Sequence, residues 1–513
     1  MTLSVPGQPS LSSRLSAWIA GNPCQAFAAF CVLHIVVWTA IPTFLYPNLP
    51  LDLIEALIYG REWQLGHDKL PPLPWWMVEI VYRLIGRDFA YYLLAELVVI
   101  ACFALVYVAA LPIVGAAGAL VSVLIIDGMH YFNFTAPKFN HDVIQLPFWA
   151  LAGLAFLRAL QTGRLHWWAL LGVAIGGALW SKYFVVILVA PIALYLLFDP
   201  KARRALLTPG PYVAAIVALI IMAPHLVWLV QNDFLPFAYA DARAIHSRGF
   251  YDHLWHPVLF LGAQLGAMLP SFFIASPLFR ASDGKLWSGK FNLDFTGDTF
   301  RTVTVLALGP LALLIVLSAI TGRGVLAMWG YPLFIFIGLW IVMVAKAQID
   351  RTRLSLIAAG WAIVAAIYTI AFIVHHALVP RFHGHFYAHL YPGQSIADTM
   401  TAEFQRQTGE PVRYVIGRIW PAGNISHYAR EGRPRVLIDA NPKRSPWIDL
   451  ADLKRHGALV VWIDFEREAL PTYVKELAPD AVLQPPLRLP WIWRGGSVEA
   501  GHGIGWAILK PQK

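Results

Sequence analysis

The chain has 513 residues, of which 58% are hydrophobic and 13% charged, and its mean hydropathy is +0.58. A soluble globular protein carries about twice that share of charge, so the balance points to an integral membrane protein. The formal net charge is +9, but the cations sit between apolar runs, as membrane-flanking residues do, and no nucleic-acid partner is expected. Cys24, Cys31 and Cys102 fall in apolar segments without CxxC spacing, which argues against a disulfide framework and against a thiolate metal site.

Residues 1–23 read as a cytoplasmic N-terminal segment. The apolar run from Pro23 to Leu45 is too long for a signal-peptide core and reads as a first transmembrane helix. Further spans are expected at 72–86, 89–111, 115–132, 142–158, 166–181, 183–199, 212–231, 256–279, 302–320, 325–345 and 354–379. Arg83, Arg87, Arg158, Arg164, the cluster Lys201, Arg203 and Arg204, the segment Arg280–Arg301, and Lys346, Arg351 and Arg353 then share one side, which the positive-inside bias makes cytoplasmic. The opposite, periplasmic side receives residues 46–71, 133–141, 232–255 and everything after 380. The expected fold is mainly α: a polytopic transmembrane helix bundle over 24–379 with a C-terminal α/β periplasmic domain over 380–513. In that tail RYVIGRI (413–419), RVLID (435–439) and ALVVWID (458–464) are strand-like. SIADTMTAEFQRQTG, NISHYAREG and DLADLKRHG carry helical spacing and end at glycine, so a small parallel or mixed sheet is expected.

The stretch LDLIEALIYGREWQLGHDKLPPLPWW (51–76) crowds ionisable groups into a greasy chain. A juxtamembrane helix over 52–66 would place Asp52, Glu55, Tyr59 and Glu62 on one face and Ile54, Leu57, Ile58 and Leu65 on the other. It reads as an interfacial amphipathic helix lying flat on the outer leaflet, its apolar face toward lipid or the bundle. Asp52 three residues before Glu55 is a capping-box pattern. It is equally a carboxylate kept ionised at a helix N-terminus, which suits a general base. Both readings stand on spacing alone.

An acid opening a juxtamembrane helix, followed by a D-K-x-P-P-L turn into the next span, resembles the GT-C class of membrane glycosyltransferases. Within that class it resembles the family 39 and aminoarabinose-transferase-like enzymes, grouped with rhizobial galacturonic-acid transferases and protein O-mannosyltransferases. FNHDVIQLPFWALAGLAFLRAL (139–160) and GALWSKYFVVIL (177–188) add to the resemblance, which covers roughly residues 30–235. It implies the GT-C fold, a polyprenyl-phosphate-linked sugar donor, and transfer to an acceptor hydroxyl of a lipid, glycan or protein on the periplasmic face of the inner membrane. It makes Asp52 the expected base, with Glu55 and Asp142 as further acids. Lys69 matches a lysine that contacts the donor phosphate, although Leu70 intervenes before the proline pair, so His67 or Asp68 could share the role. Asn140 and His141 beside Asp142 make a polar cluster that points to function, with helix capping as the alternative reading.

Lys182 lies about 18 residues from the cations on either side, roughly 27 Å of helix, which sets it at the outer boundary of the hydrocarbon core. It either snorkels to the interface or neutralises the donor phosphate. The loop 231–256 is either simply polar or closes over the site, with Arg243 or Arg248 on the phosphate. His375, His376, His383, His385 and His389 could bind a metal, but without a fixed tetrad spacing they read more simply as a solvated linker. A divalent cation held by acids is the alternative to side-chain cations for offsetting phosphate charge. The transfer is expected to be direct displacement with inversion. The reading from a different class is a secondary transporter or lipid flippase, which intramembrane ionisable groups also fit; no internal repeat is seen by eye.

Overall fold

The computed structural model describes residues 11–280, 293–383, 387–463, 469–493, 496–498 and 503–512. The protein is mostly helical with a small C-terminal sheet, and its chain divides into two compact units. The first comprises Met1–Trp38, Ala95–Pro137 and His141–Ile370, and the second Thr39–Leu94, Lys138–Asn140 and Ala371–Lys513.

In the first unit long apolar runs form helices because their backbone groups are satisfied internally, which a membrane demands. Across the whole chain seven helices among the described residues are long and apolar enough to cross a membrane. They are Pro23–Leu45, Phe89–Asp127, His141–Thr162, Gly210–Gln231, Asp252–Phe279, Asp298–Thr321 and Arg351–Leu378. An eighth is added if Ala327–Phe334 and Ile337–Ala345, bent by 57°, count as one span. The expected pair 89–111 and 115–132 is one element interrupted at Gly115, whose φ of 72° only glycine adopts readily. Three other expected spans are short helices. Leu73–Leu84 has 12 residues, about 18 Å of rise, less than a bilayer core, while Leu165–Ser181 and Tyr183–Phe198 part at Lys182. The first unit is pinned by a buried polar cluster: His34 Nε2 lies 3.0 Å from Glu96 and its Nδ1 3.4 Å from Asp127, and Trp361 Nε1 donates to Asp127 at 2.6 Å. The segment 11–21 preceding Pro23 is helical, and residues 1–10 of the expected cytoplasmic segment and most of Arg280–Arg301 fall outside the described residues.

The second unit holds the first loop together with the C-terminal domain. Its five-stranded sheet runs in the order β2-β1-β3-β7-β4, with β1 Tyr414–Gly417, β2 Arg435–Ile438, β3 Ala458–Trp462, β4 Val482–Leu483 and β7 Gly505–Leu509. The expected strands are β1, β2 and β3. They pair in parallel, Val415 opposite Val436 and Ile416 opposite Val460, whereas β7 joins β3 antiparallel, so the sheet is mixed. A separate hairpin pairs β5 Trp491–Trp493 with β6 Gly496–Val498. Every residue of β1, β3 and β7 is buried, as strands covered on both faces must be. Gly409 and Gly457, at φ of 76° and 72°, end the helices Gly393–Thr408 and Leu450–His456 as expected. The middle helix, Ile419–Tyr428, stops four residues before Gly432.

The juxtamembrane helix departs from expectation in length and setting. It spans Leu51–Gly60, and the turn at 61–63, with Trp63 at φ 49°, ends it before Leu65. Its apolar face turns to protein. Ile54 and Ile58 meet helix Ile419–Tyr428, where a Cβ at Gly423 would collide with both, and Gly60 lies against the Trp75 carbonyl of helix Leu73–Leu84. Protein packs against more than one of its sides, and Tyr59, expected on the open acidic face, is fully buried.

Candidate active site

In the second unit, Pro50 occupies the N-cap of helix Leu51–Gly60 and offers no side-chain acceptor, so there is no side-chain capping bond. The capping-box reading of Asp52 is therefore corrected. Asp52 sits at the second helical position and accepts a 2.8 Å hydrogen bond from Asn140 Nδ2. One turn on, Lys69 Nζ lies 2.8 Å from Glu55 Oε2, and spacing of three residues on a helix sets Asp52 and Glu55 on neighbouring positions of one face. Burial pushes the Glu55 carboxyl above its usual range, with the Lys69 ammonium drawing it back down. Asp52 itself is half-buried.

The turn that carries Lys69 is held from two directions. Tyr59 OH donates to Asp68 Oδ1 at 2.8 Å, and Arg444 Nε donates to Asp68 Oδ2 at 2.7 Å. Burial and the adjacent Asp68 carboxylate hold the Tyr59 phenol well above its ordinary pKa, so it remains a donor. The Tyr59 ring stacks on Trp75 at 4.4 Å, and His67 is enclosed by Tyr59, Trp75 and Trp447. Of this turn, Lys69 reaches Glu55 on the helix. His67 serves the aromatic packing and Asp68 faces Tyr59 and Arg444.

Two more arginines of the C-terminal domain engage this loop. Arg433 Nη1 lies 2.7 Å from the buried Glu79, and its guanidinium also donates to the Leu57 carbonyl and lies 4.1 Å from the Tyr82 ring centre. Arg435 pairs with Glu62 at 3.1 Å. No local spacing flags Arg433, Arg435 or Arg444, which lie more than 350 residues from their partners.

In the first unit, Lys182 breaks two short helices, and its Nζ lies 2.6 Å from Asp142 Oδ1 with the Phe184 and Trp329 rings 5.6 and 5.5 Å away. Only 12% of its side chain is exposed, so it is a paired, largely enclosed cation and not a snorkelling one. Asp142 is no simple cap either: it lies in the first turn of His141–Thr162 and also accepts from Gln145 Nε2 at 3.1 Å. His141 is buried. Arg243 and Arg248 are exposed. In the same loop His253 and His256 each place Nδ1 2.8 Å from a carbonyl oxygen, of Ala319 and Gly322, at the end of helix Asp298–Thr321. That is a structural use of both rings.

Among the described residues no group of three or more His, Cys, Asp or Glu side chains is arranged to hold a metal ion. His385 of the histidine string lies outside them; His376 and His389 pack on Tyr46.

The helix bundle with its small C-terminal sheet has the GT-C fold. It superposes on ArnT from Cupriavidus metallidurans, solved with undecaprenyl phosphate, with a TM-score of 0.62 at 15% identity, over 95% of this chain and 98% of that one. Residues 69–228 match the family described as dolichyl-phosphate-mannose-protein mannosyltransferase. Fold and sequence together support a GT-C class glycosyltransferase of the ArnT-like type. Two relatives come from Rhizobium johnstonii. The lipid A galacturonosyltransferase RgtD is 25% identical over 68% of this chain and 71% of its own length, and the lipopolysaccharide core galacturonosyltransferase RgtA is 27% identical over 52% of each. These likenesses do not favour the transporter or flippase reading.

Proposed function

We propose that this protein moves a sugar from a polyprenyl-phosphate-linked donor to a hydroxyl of lipid A or the lipopolysaccharide core, on the periplasmic face of the inner membrane. The observation that carries the reading is the polar face of helix Leu51–Gly60, where Asp52 is oriented by Asn140 and Glu55 is paired with Lys69. The names of the rhizobial relatives support a lipid A or core acceptor, and the ligand of the solved neighbour supports a lipid-phosphate donor.

In the proposed reaction the acceptor oxygen attacks the anomeric carbon opposite the phosphate. The new C–O bond forms as the bond to the phosphate oxygen breaks, and the configuration inverts. The hydroxyl proton passes to Asp52, and the polyprenyl phosphate departs with one more negative charge than the donor carried. Asn140 fixes the carboxylate for that transfer. Lys69 offsets the charge growing on the phosphate by exchanging Glu55 for it, as a mobile point charge does well. Lys182, now held by Asp142, is a second candidate for the phosphate; Arg243 and Arg248 remain candidates only as exposed cations of a loop.

The test is sugar transfer from a purified polyprenyl-phosphate sugar by wild type and Asp52→Asn. Loss of the base is expected to lower kcat by about 10²–10⁴, with an unchanged melting profile. Near-full activity in Asp52→Asn would remove Asp52 from the mechanism.

A further inference from the structure

Arg444 stands 376 residues from Asp68 in sequence, yet takes one oxygen of its carboxylate while Tyr59 takes the other. The segment presenting it is tightly specified. Asp439 and Ala440 both hold φ of 52°, in the left-handed region non-glycine residues rarely enter, and Ser445 Oγ accepts from the Ile438 amide at 2.9 Å. Arg444 also pairs with Asp439. The Asp68 side chain is 11% exposed, so its pairs act in a medium of lowered dielectric. Asp68 is covalently next to Lys69, whose ammonium lies on Glu55.

We propose that Arg444 is a positioning residue that holds the Asp68 carboxylate away from Lys69, so that an arriving phosphate has Glu55 alone to displace from the Lys69 ammonium and not a second anion. The proposal rests on the reading of Lys69 as a donor-phosphate cation. Arg444 touches neither donor nor acceptor in this role. Without it, one Asp68 oxygen loses its partner, and the neighbouring ammonium becomes its natural replacement. The C-terminal domain would thus set donor affinity from outside the reacting centre.

The experiment titrates polyprenyl phosphate, in detergent, into the full-length wild type and three variants. Arg444→Ala is expected to bind about tenfold more weakly, the factor equivalent to ~1.4 kcal/mol. Arg444→Ala/Asp68→Asn, which also removes the competing anion, is expected to return to within about twofold of wild type. Rescue of this kind is what a merely structural arginine would not give, since the double variant would then be at least as weak as the single. Asp68→Asn alone is expected to bind within about twofold of wild type, and it keeps the test open if Arg444→Ala fails to fold. Unchanged binding in Arg444→Ala, an unrescued double variant, or a tenfold loss in Asp68→Asn would each overturn the positioning role while leaving the donor reading intact. Absence of binding by wild type would overturn the donor reading, and this proposal with it.

Discussion

Asp142 and Lys182 show how one contact changes the meaning of a residue. A lysine at the edge of an apolar run is ordinarily a snorkelling cation, but at 2.6 Å from Asp142 and largely enclosed it is half of an ion pair. Removing one partner leaves the other charge uncompensated. Asp142→Asn is therefore expected to lower stability by about 3 kcal/mol, and Asp142→Asn/Lys182→Met to recover part of it, because replacing both charges avoids the orphan. Thermal unfolding in detergent reads both; a double variant weaker than the single would show that the pair does not act this way. Asp52 differs in kind. The Asn140 amide orients its carboxylate for proton transfer, so its removal should be felt in rate and hardly in melting.

Among the elements, the short helix Ala388–Leu390 of the second unit carries a pH-sensitive group. His389, in the short helix Ala388–Leu390, stacks on Tyr46 at 4.5 Å and places Nε2 3.1 Å from the His376 carbonyl oxygen, while the Asn48 amide donates to the His389 carbonyl. Burial outweighs the carbonyl contact and pushes the imidazole down to about 4. The folded state thus keeps His389 neutral where the unfolded chain would protonate it. Its contribution is complete above the ordinary value of 6.5 and is lost as pH falls from there through about 4, some ~3 kcal/mol in all. Melting temperature is expected to fall across that window, and His389→Gln to flatten the slope. An identical slope in the variant would assign the titration to another group. The juxtamembrane helix makes a related point about elements: its amphipathic pattern fits lipid or protein equally, and the fold sets Ile54 and Ile58 against Gly423 of the C-terminal domain.

At the scale of the whole molecule, the C-terminal domain and the first loop form one unit tied by Arg433, Arg435 and Arg444. The three ties differ in burial, and their energies should follow. Arg433→Ala removes one of two arginines from Glu79, which is 2% exposed and keeps Arg83 at 2.9 Å, and is expected to cost about 2 kcal/mol. Arg435 is 45% exposed, so its replacement by alanine is expected to cost about 1 kcal/mol or less. Melting and protease sensitivity of residues 61–72 measure the order, and equal losses would contradict it. Much of this protein was determined by its sequence alone. Apolar runs forced helices because backbone groups in lipid must pair within the chain, short Val- and Ile-rich apolar strings gave β1, β2 and β3, and Asp52, Lys69 and Asp142 stood out as charges in a chain that has few. Only the tertiary structure decided which partner each charge takes. Pro50 removed the cap that the Asp52 spacing implied, Asn140 and Arg444 arrived from 88 and 376 residues away, and β7 turned the sheet mixed. Hydrophobic periodicity is local and legible in a short window, whereas an ion pair depends on where two distant segments of chain come to rest, which no spacing records.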